Sequence, residues 1–206
     1  MARYFTIHPD DPQPRLISQT AAILRHGGVI VYPTDSCYAL GCLAMDKTAV
    51  DRIIHNRRLN PKHNMTLICS NLSDISTYAR LDNTAFRLIK RLTPGPYTFL
   101  LKATKDVPKR LWHPQRKTIG LRVPDHAIVR DILVSLGEPM LSTSLILPDE
   151  QLPETEPEQI YKRIGNVVDL IIEGGACGFD PTTVLDLTGP DLEVIRKGRG
   201  DITGLI

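Results

Sequence analysis

Four groups of polar side chains, each beside the end of a predicted strand, have the residue types needed to bind a small ligand. Hydroxyl groups bind phosphate oxygens or an amino acid without adding charge, and an arginine can donate two parallel hydrogen bonds to a carboxylate or phosphate. Each group also has a simpler interpretation, because surface ion pairs are common and weak and hydroxyls often mark the polar edge of a strand. The four groups are Thr34-Asp35-Ser36, Arg122, Ser142-Thr143-Ser144 and Thr182-Thr183.

A second positive cluster lies at the predicted end of a helix and has the composition of a phosphate clamp. The same charges would also interact favourably with the helix dipole, by about 0.3–1 kcal/mol each. The sequence contains no Walker loop and no GxGxxG after a strand, so a standard nucleotide cradle is not expected. The histidines show no metal-ligand spacing, so no metal site is predicted. The cluster comprises His55, Arg57, Arg58, Lys62 and His63.

The elements that position these groups are predicted from apolar periodicity and from turn residues. Val29–Tyr32 is a β-branched and aromatic run typical of a buried strand. Helices and strands mix without strict alternation, so we expect an α/β (α+β) fold in which a single domain over residues 1–206 has a mixed sheet flanked by helices. The residues predicted to cap helices are Asp46, Asn71, Asp82 and Asp125. Further strands are predicted at Cys37–Leu43, Met65–Cys69, Tyr97–Ala103, Thr118–Val123, Met140–Ile146, Asp169–Ile172, Thr182–Leu187 and Leu192–Arg196.

Charge is separated along the chain, although the net charge is only +2. Residues 87–122 contain ten Lys or Arg and one acidic residue, whereas residues 148–195 contain eleven acidic residues and two basic ones. This asymmetry predicts one basic and one acidic face. A basic groove suits a nucleic-acid backbone, although charged side chains more often form a solvated surface. The candidate RNA-binding residues are Lys105, Lys109, Arg110, Arg116 and Lys117.

The cysteines and the hydropathy of the chain predict a cytoplasmic protein. The four cysteines have neither the short spacing of a zinc site nor that of a redox dithiol. We therefore expect reduced thiols, which are usual in the cytosol. No apolar segment approaches the roughly 20 residues of a membrane-spanning helix, so no membrane partner is expected.

Six short motifs occur along the chain in a fixed order. They are Tyr32-Pro-Thr-Asp-Ser-Cys-Tyr-Ala-Leu-Gly41, Thr93-Pro-Gly-Pro96, Gly120-Leu-Arg-Val-Pro124, Ser142-Thr-Ser144, Pro181-Thr-Thr-Val-Leu-Asp186 and Arg196-Lys-Gly198. No single motif is specific, but the ordered set resembles the YrdC/YciO family of threonylcarbamoyl-AMP synthases and is most similar to its YciO branch. The resemblance extends from about Leu16 to Gly198, which is nearly the whole chain.

The resemblance implies a YrdC-like twisted, mostly mixed sheet with a deep basic cleft. It also implies a reaction in which L-threonine, bicarbonate and ATP give threonylcarbamoyl-AMP and pyrophosphate, for later modification of tRNA. Magnesium would arrive with ATP, and tRNA or double-stranded RNA would be a macromolecular partner. Carried over by motif, the threonine-binding residues are Thr34, Ser36, Arg122, Ser142 and Thr182. The nucleotide-binding residues are Arg57, Arg58, Ser144 and Arg196.

The chain departs from the synthases at two positions. An ungapped alignment places Arg57 on the lysine of their Lys-x-Arg pair and Leu59 on the arginine, for which Arg58 could substitute if the register shifts. Ile146 replaces the asparagine of their Ser-x-Asn motif, so no catalytic residue is assigned. We therefore consider two hypotheses. The first is a synthase-like enzyme with weak activity or an altered substrate, and the second is a non-catalytic RNA-binding protein that uses the same cleft. A carrier or sensor of another carboxylate or nucleotide is a third hypothesis.

Overall fold

A computed structural model describes residues 1–60 and 66–205 of the chain. Lys62, His63 and the first residue of the predicted strand Met65–Cys69 lie outside the described residues. The helices are α1 (Pro14–Arg25), α2 (Lys47–Arg57), α3 (Leu72–Tyr78), α4 (Asn83–Leu92), α5 (Ala127–Leu136) and α6 (Pro157–Ile164). The strands are β1 (Arg3–Thr6), β2 (Ile30–Tyr32), β3 (Ala39–Leu43), β4 (Thr66–Ile68), β5 (Tyr97–Lys102), β6 (Thr118–Arg122), β7 (Met140–Ser144), β8 (Leu170–Glu173), β9 (Thr183–Asp186) and β10 (Glu193–Arg196).

The ten strands form one sheet in the order β1-β8-β2-β3-β7-β4-β6-β5-β9-β10. The β1–β8, β2–β8, β4–β6 and β5–β9 pairs are parallel, and the other pairs are antiparallel. The prediction of a mixed α/β sheet flanked by helices is therefore confirmed. No helix in the described part of the chain is long and apolar enough to cross a membrane.

Three of the four predicted helix caps are confirmed. The side chains of Asp46, Asn71 and Asp82 accept hydrogen bonds from backbone N–H groups in the first turns of α2, α3 and α4. The prediction that Asp125 caps α5 was wrong, because its own N–H donates to Asp35 and the helix begins one residue later, after His126. Strand β1 was not predicted, since its burial pattern is mostly exposed and it pairs only through β8.

The two faces of the sheet are covered unequally by helices. One face packs along the sheet against apolar residues of α2, α3, α4 and α6, and its core includes Phe99, Leu121 and Leu185. The opposite face packs against α1 and α5, but within the described residues that second core draws its strand residues only from β1, β2, β3, β4, β7 and β8. The second face therefore lacks an apolar cover over β6, β5 and β9, within the part of the chain that the structure describes.

Where the helix cover ends, strands β7, β4 and β6 carry small or hydroxyl residues at paired positions, and β5 carries a leucine. Ser142 of β7 pairs with Thr66 of β4, Thr66 pairs with Gly120 of β6, and Gly120 pairs with Leu100 of β5. Residues that are paired across strands lie on the same face of the sheet. The register therefore places a row of small and hydroxyl side chains where the helices leave the sheet open.

Gly198 packs against the backbone that precedes β9, and its substitution tests how tightly this edge is built. A Cβ at Gly198 would lie 2.6 Å from the carbonyl carbon and oxygen of Thr182, whereas one at Gly189 would have no heavy atom closer than 3.9 Å. We expect Gly198→Ala to lower the free energy of unfolding by about 1–3 kcal/mol, and Gly189→Ala to leave it nearly unchanged. Urea unfolding of both variants measures this, and equal stabilities would contradict the packing.

Candidate functional site

A cavity of about 430 Å³ occupies the open part of the sheet. This volume lies within the range of small-molecule sites. Its wall contains three arginines, several hydroxyl side chains and an apolar section that includes Ile68, Leu100 and Val184. The polar residues that line it are Arg57, Thr66, Thr98, Arg122, Ser142, Thr143, Ser144, Thr182 and Arg196.

Six of the nine predicted threonine- and nucleotide-binding residues meet in this one cavity, although they are distant in sequence. Arg57 comes from the end of α2, Arg122 from the end of β6, and Arg196 from the end of β10. Ser142 and Ser144 come from β7, and Thr182 from the residue before β9. Three cationic groups and several hydroxyls facing one space can bind a ligand that carries carboxylate or phosphate groups.

Arg122 is held by the turn that follows β2. Its side chain is only 7% exposed and forms an ion pair with Asp35, whose side chain is 10% exposed. The second carboxylate oxygen of Asp35 accepts a hydrogen bond of 3.0 Å from the backbone N–H of Asp125. The Nε of Arg122 has no hydrogen-bond partner within the described residues. Arg122 therefore forms an ion pair, but the pair is buried and is not the surface ion pair of the simpler interpretation. The arginine also lines the cavity.

Thr34 and Ser36 lie behind Arg122 and do not line the cavity. The Nη2 of Arg122 is 3.1 Å from the Ser36 hydroxyl and 3.5 Å from the Thr34 hydroxyl. Both residues are buried, and Thr34 also donates to the Cys37 carbonyl at 2.6 Å. Their contact with substrate stays a prediction, whereas their contact with the arginine is seen in the structure.

The neighbouring arginines at the end of α2 point in different directions. Arg57 lines the cavity and its Nε has no partner in the described chain, while burial lowers the pKa of its guanidinium below the ordinary value. Arg58 adopts a left-handed conformation (φ 47°) and pairs at the surface with Asp149 at 3.3 Å. Leu59 packs against the hydrophobic core. The structure therefore brings Arg57 into the site but not Arg58.

Arg196 is anchored to the residue before β9. Its Nε and Nη2 donate to the carbonyl oxygen of Thr182 at 3.0 and 2.9 Å, and Nη2 also lies 3.2 Å from the Thr182 hydroxyl. The Thr182 hydroxyl is 2.8 Å from that of Thr98. Partial burial lowers the pKa of Arg196, without bringing it out of the charged form at neutral pH. These bonds fix one cation and two hydroxyls on the β9–β10 side of the cavity.

Three residues that line the cavity with a hydroxyl or thiol group were missed by the motif reasoning. Thr98 and Thr66 are single hydroxyls in mostly apolar strands, and Cys37 was expected only to be a reduced thiol. The signal for Thr98 was present, because a lone polar residue inside Tyr97-Thr-Phe-Leu-Leu101 must face something other than the core. Without the order of the strands around β5, however, the sequence could not show that Thr98 faces this cavity.

The five candidate RNA-binding residues lie outside the cavity, on the connection between β5 and β6. Lys105, Lys109 and Lys117 are exposed. Arg110 donates to the carbonyl oxygens of Ala44 and Met45 at 3.0 and 2.8 Å, and Arg116 is 3.6 Å from a carboxylate oxygen of Asp186. Lys117 precedes β6 whereas Arg122 ends it, so the two are separated by roughly 16 Å along the strand.

In residues 1–60 and 66–205, no three His, Cys, Asp or Glu side chains lie close enough together to bind a metal ion. Asp35, the carboxylate nearest to Arg122, is already paired with that arginine and with a backbone N–H. All four cysteines are free thiols.

The buried and exposed Arg–Asp pairs provide a matched comparison. Asp35→Asn leaves Arg122 as an uncompensated buried charge, so we expect the free energy of unfolding to fall by about 3 kcal/mol. Asp149→Asn removes the partner of exposed Arg58 and should cost no more than about 0.5 kcal/mol. Urea unfolding at pH 7 measures both variants. Equal losses would show that the Arg122 pair is not buried as described.

Comparison with known proteins gives the family of the chain. The Sua5/YciO/YrdC family model, described as telomere recombination, matches residues 22–198. YciO of Escherichia coli K12 is 56% identical over 202 residues, which are 98% of both chains. Its crystal structure superimposes with a TM-score of 0.97 and 55% identity, covering 100% of each chain.

More distant relatives have names that refer to a reaction or a ligand. A threonylcarbamoyl-AMP synthase of Vibrio cholerae is 29% identical over 186 residues, which cover 88% of this chain and 97% of the relative. The structure of P. abyssi Sua5 complexed with L-threonine shares the fold, with a TM-score of 0.87 and 24% identity over 95% of this chain and 57% of that one. The match of the family model over most of the sequence shows that the chain belongs to the Sua5/YciO/YrdC family.

Proposed function

We propose that the chain is a threonylcarbamoyl-AMP synthase-like enzyme that binds ATP and L-threonine in the cavity, in a pathway related to threonylcarbamoyladenosine in tRNA. The observation that carries this proposal is the convergence of Arg57, Arg122 and Arg196 with the hydroxyls of β7 on one cavity. The relatives named as threonylcarbamoyl-AMP synthases and the Sua5 complex with L-threonine support it. The free thiols agree with a cytoplasmic location, which we propose as well.

The proposed chemistry has two steps. The amino group of threonine attacks bicarbonate to form a carbamate and release water. A carbamate oxygen then attacks the α-phosphorus of ATP, so that a P–O bond forms and pyrophosphate leaves with the electrons of the broken bond. The protein must hold the carbamate in line with the α-phosphate and place cations where negative charge builds on pyrophosphate. Arg57, Arg122 and Arg196 are the residues proposed for the second task.

Magnesium belongs to this proposal as part of the nucleotide. The described residues offer no carboxylate cage, and Mg²⁺ commonly binds through substrate phosphates with few protein ligands. We therefore propose that Mg²⁺ enters with ATP. The hydroxyls of Ser144 and Thr182 would hold ligand oxygens.

The two departures from the synthases predict slow turnover. Arg58 is engaged with Asp149 and Leu59 with the core, so neither brings a second cation from the end of α2 into the cavity. Ile146 lines the cavity with an apolar side chain and cannot supply an amide hydrogen bond. The loss of one charged contact at an enclosed site costs a few kcal/mol of transition-state stabilisation.

The adjacent arginines Arg57 and Arg58 give the sharpest test of the nucleotide site. We expect Arg57→Ala to weaken ATP binding at least tenfold, because it removes a cation that lines the cavity and whose Nε has no partner among the described residues, and Arg58→Ala to change it less than twofold. Isothermal titration calorimetry with Mg–ATP measures both constants. Similar effects of the two substitutions would remove Arg57 from the proposed site.

Activity is tested by incubating the protein with ATP, L-threonine and bicarbonate and following pyrophosphate. The Arg122→Ala, Ser142→Ala double variant is the negative control, since it lacks two groups that line the cavity. Release above this control supports the enzyme. Binding of both substrates without such release would reject the enzyme and favour a carrier or sensor.

The second candidate function is a non-catalytic protein that binds tRNA or double-stranded RNA. The observation that favours it is the exposed basic connection between β5 and β6, together with the position of Arg58, which pairs with Asp149 at the surface and not in the cavity. This connection lies outside the cavity lining. The RNA-binding surface would therefore extend outside the cleft, in which RNA binding was predicted.

RNA binding is tested with charge-matched lysine pairs. If Lys105 and Lys109 contact phosphates, replacing both with alanine should weaken tRNA binding and reduce the slope of log K against log salt by about 1.4–1.8. Replacing the exposed Lys47 and Lys162 should change neither quantity. Filter binding at 50 and 200 mM salt measures both. Equal slopes in all three proteins would argue against this surface.

A further inference from the structure

Tyr32 reaches across one strand of the sheet to a residue of the cavity. Its side chain is completely buried, and its hydroxyl donates a hydrogen bond of 2.6 Å to the hydroxyl oxygen of Ser142. Strand β3 lies between β2 and β7, and Gly41 of β3 pairs with Ser142. A Cβ at Gly41 would lie 2.7 Å from the Tyr32 ring. The glycine therefore leaves the space through which the tyrosine passes.

The direction of this hydrogen bond follows from the burial of the phenol. If Ser142 donated instead, the phenol proton would be enclosed without an acceptor in the described part of the protein, which is unfavourable. The phenol also stays protonated at neutral pH, because desolvation raises the pKa of Tyr32 to about 12. Tyr32 is thus the donor and the serine oxygen is the acceptor.

The direction of this hydrogen bond determines which partner the proton of Ser142 can have. A serine hydroxyl has one proton to donate, and within residues 1–60 and 66–205 it has no protein acceptor, since its hydrogen bond is the one that it accepts from Tyr32. Ser142 lines the cavity that Arg122 also lines. Its proton is therefore available to a ligand atom in that cavity, and that atom must be a hydrogen-bond acceptor.

We infer that Tyr32 is a positioning residue, which fixes Ser142 as a hydrogen-bond donor to a carboxylate or phosphate oxygen of the ligand. The inference rests on the proposed function of the cavity and specifies the chemistry of one part of it. The ligand atom that takes the Ser142 proton is a hydrogen-bond acceptor, and an anionic oxygen fits this place because the arginines that line the same cavity are donors only.

A double-mutant cycle with Tyr32→Phe and Ser142→Ala tests the inference, using L-threonine and, separately, inorganic pyrophosphate as probes in calorimetry. Tyr32→Phe keeps the buried ring and should weaken binding of at least one probe by about three- to tenfold. Ser142→Ala should weaken the same probe at least as much. The double variant should bind that probe no more weakly than Ser142→Ala alone, because Tyr32 acts only through the serine.

A structural role of Tyr32 would give a different pattern. Losses of affinity that multiply in the double variant, or a Tyr32→Phe variant that binds both probes like the wild type, would overturn the inference. Tyr38→Phe is the control, because Tyr38 is also buried but its hydroxyl donates to the Gly175 carbonyl at 2.9 Å. It should leave both affinities unchanged, and a loss equal to that of Tyr32→Phe would also count against the inference.

The two probes separate this inference from the proposed function. Wild-type protein that binds pyrophosphate but not L-threonine contradicts the proposed substrate, while the pyrophosphate cycle still decides the role of Tyr32. Wild-type protein that binds neither probe overturns both, since the cavity would then not be an anion site. Unfolding of the wild type, Tyr32→Phe, Ser142→Ala and the double variant without ligand measures the coupling energy between the two side chains. Zero coupling would contradict the Tyr32–Ser142 hydrogen bond.

Discussion

The buried ion pair between Arg122 and Asp35 is the contact on which the site depends. It joins the end of β6 to the turn after β2, and Asp35 also accepts a hydrogen bond from the backbone just before α5. A buried charge without its partner is strongly unfavourable, so these three parts of the chain are held in one arrangement. The Asp35 carboxylate binds Arg122 from the side of the turn, and Arg122 also lines the cavity. The ion pair therefore both stabilises the fold and orients a ligand-facing cation.

The cavity exists because the helices cover the sheet unevenly. On one face α1 and α5 form an apolar layer that draws on β1, β2, β3, β4, β7 and β8. Where this layer ends, paired positions of β7, β4 and β6 carry serine, threonine and glycine, and Arg122 ends β6. Polar groups in such a place lose less hydration than in a closed core, and a ligand can replace the water. The same alternation of side chains that builds the continuous core on one face thus leaves the binding surface on the other.

Local patterns predicted most elements because burial and capping act over a few residues. The apolar run before Pro33 and the caps Asp46, Asn71 and Asp82 are of this kind. The motif order also indicated which polar residues meet, from Arg57 to Arg196. Contacts that depend on strand order were not predictable from local patterns. Tyr32 reaches Ser142 only because β3 lies between their strands, and Thr98 meets Thr182 only because β5 lies beside β9. The opposite directions of Arg57 and Arg58 depend on one left-handed residue at the end of a helix.

We propose that residues from distant parts of the sequence form one binding site for an anionic ligand. A crystal structure of the protein soaked with Mg–ATP and L-threonine tests this proposal. We expect electron density for the ligand in the cavity between Arg57, Arg122 and Arg196, with a ligand oxygen in hydrogen-bond contact with Ser142. Density only on the exposed connection between β5 and β6, with the cavity holding water alone at saturating ligand, would contradict it.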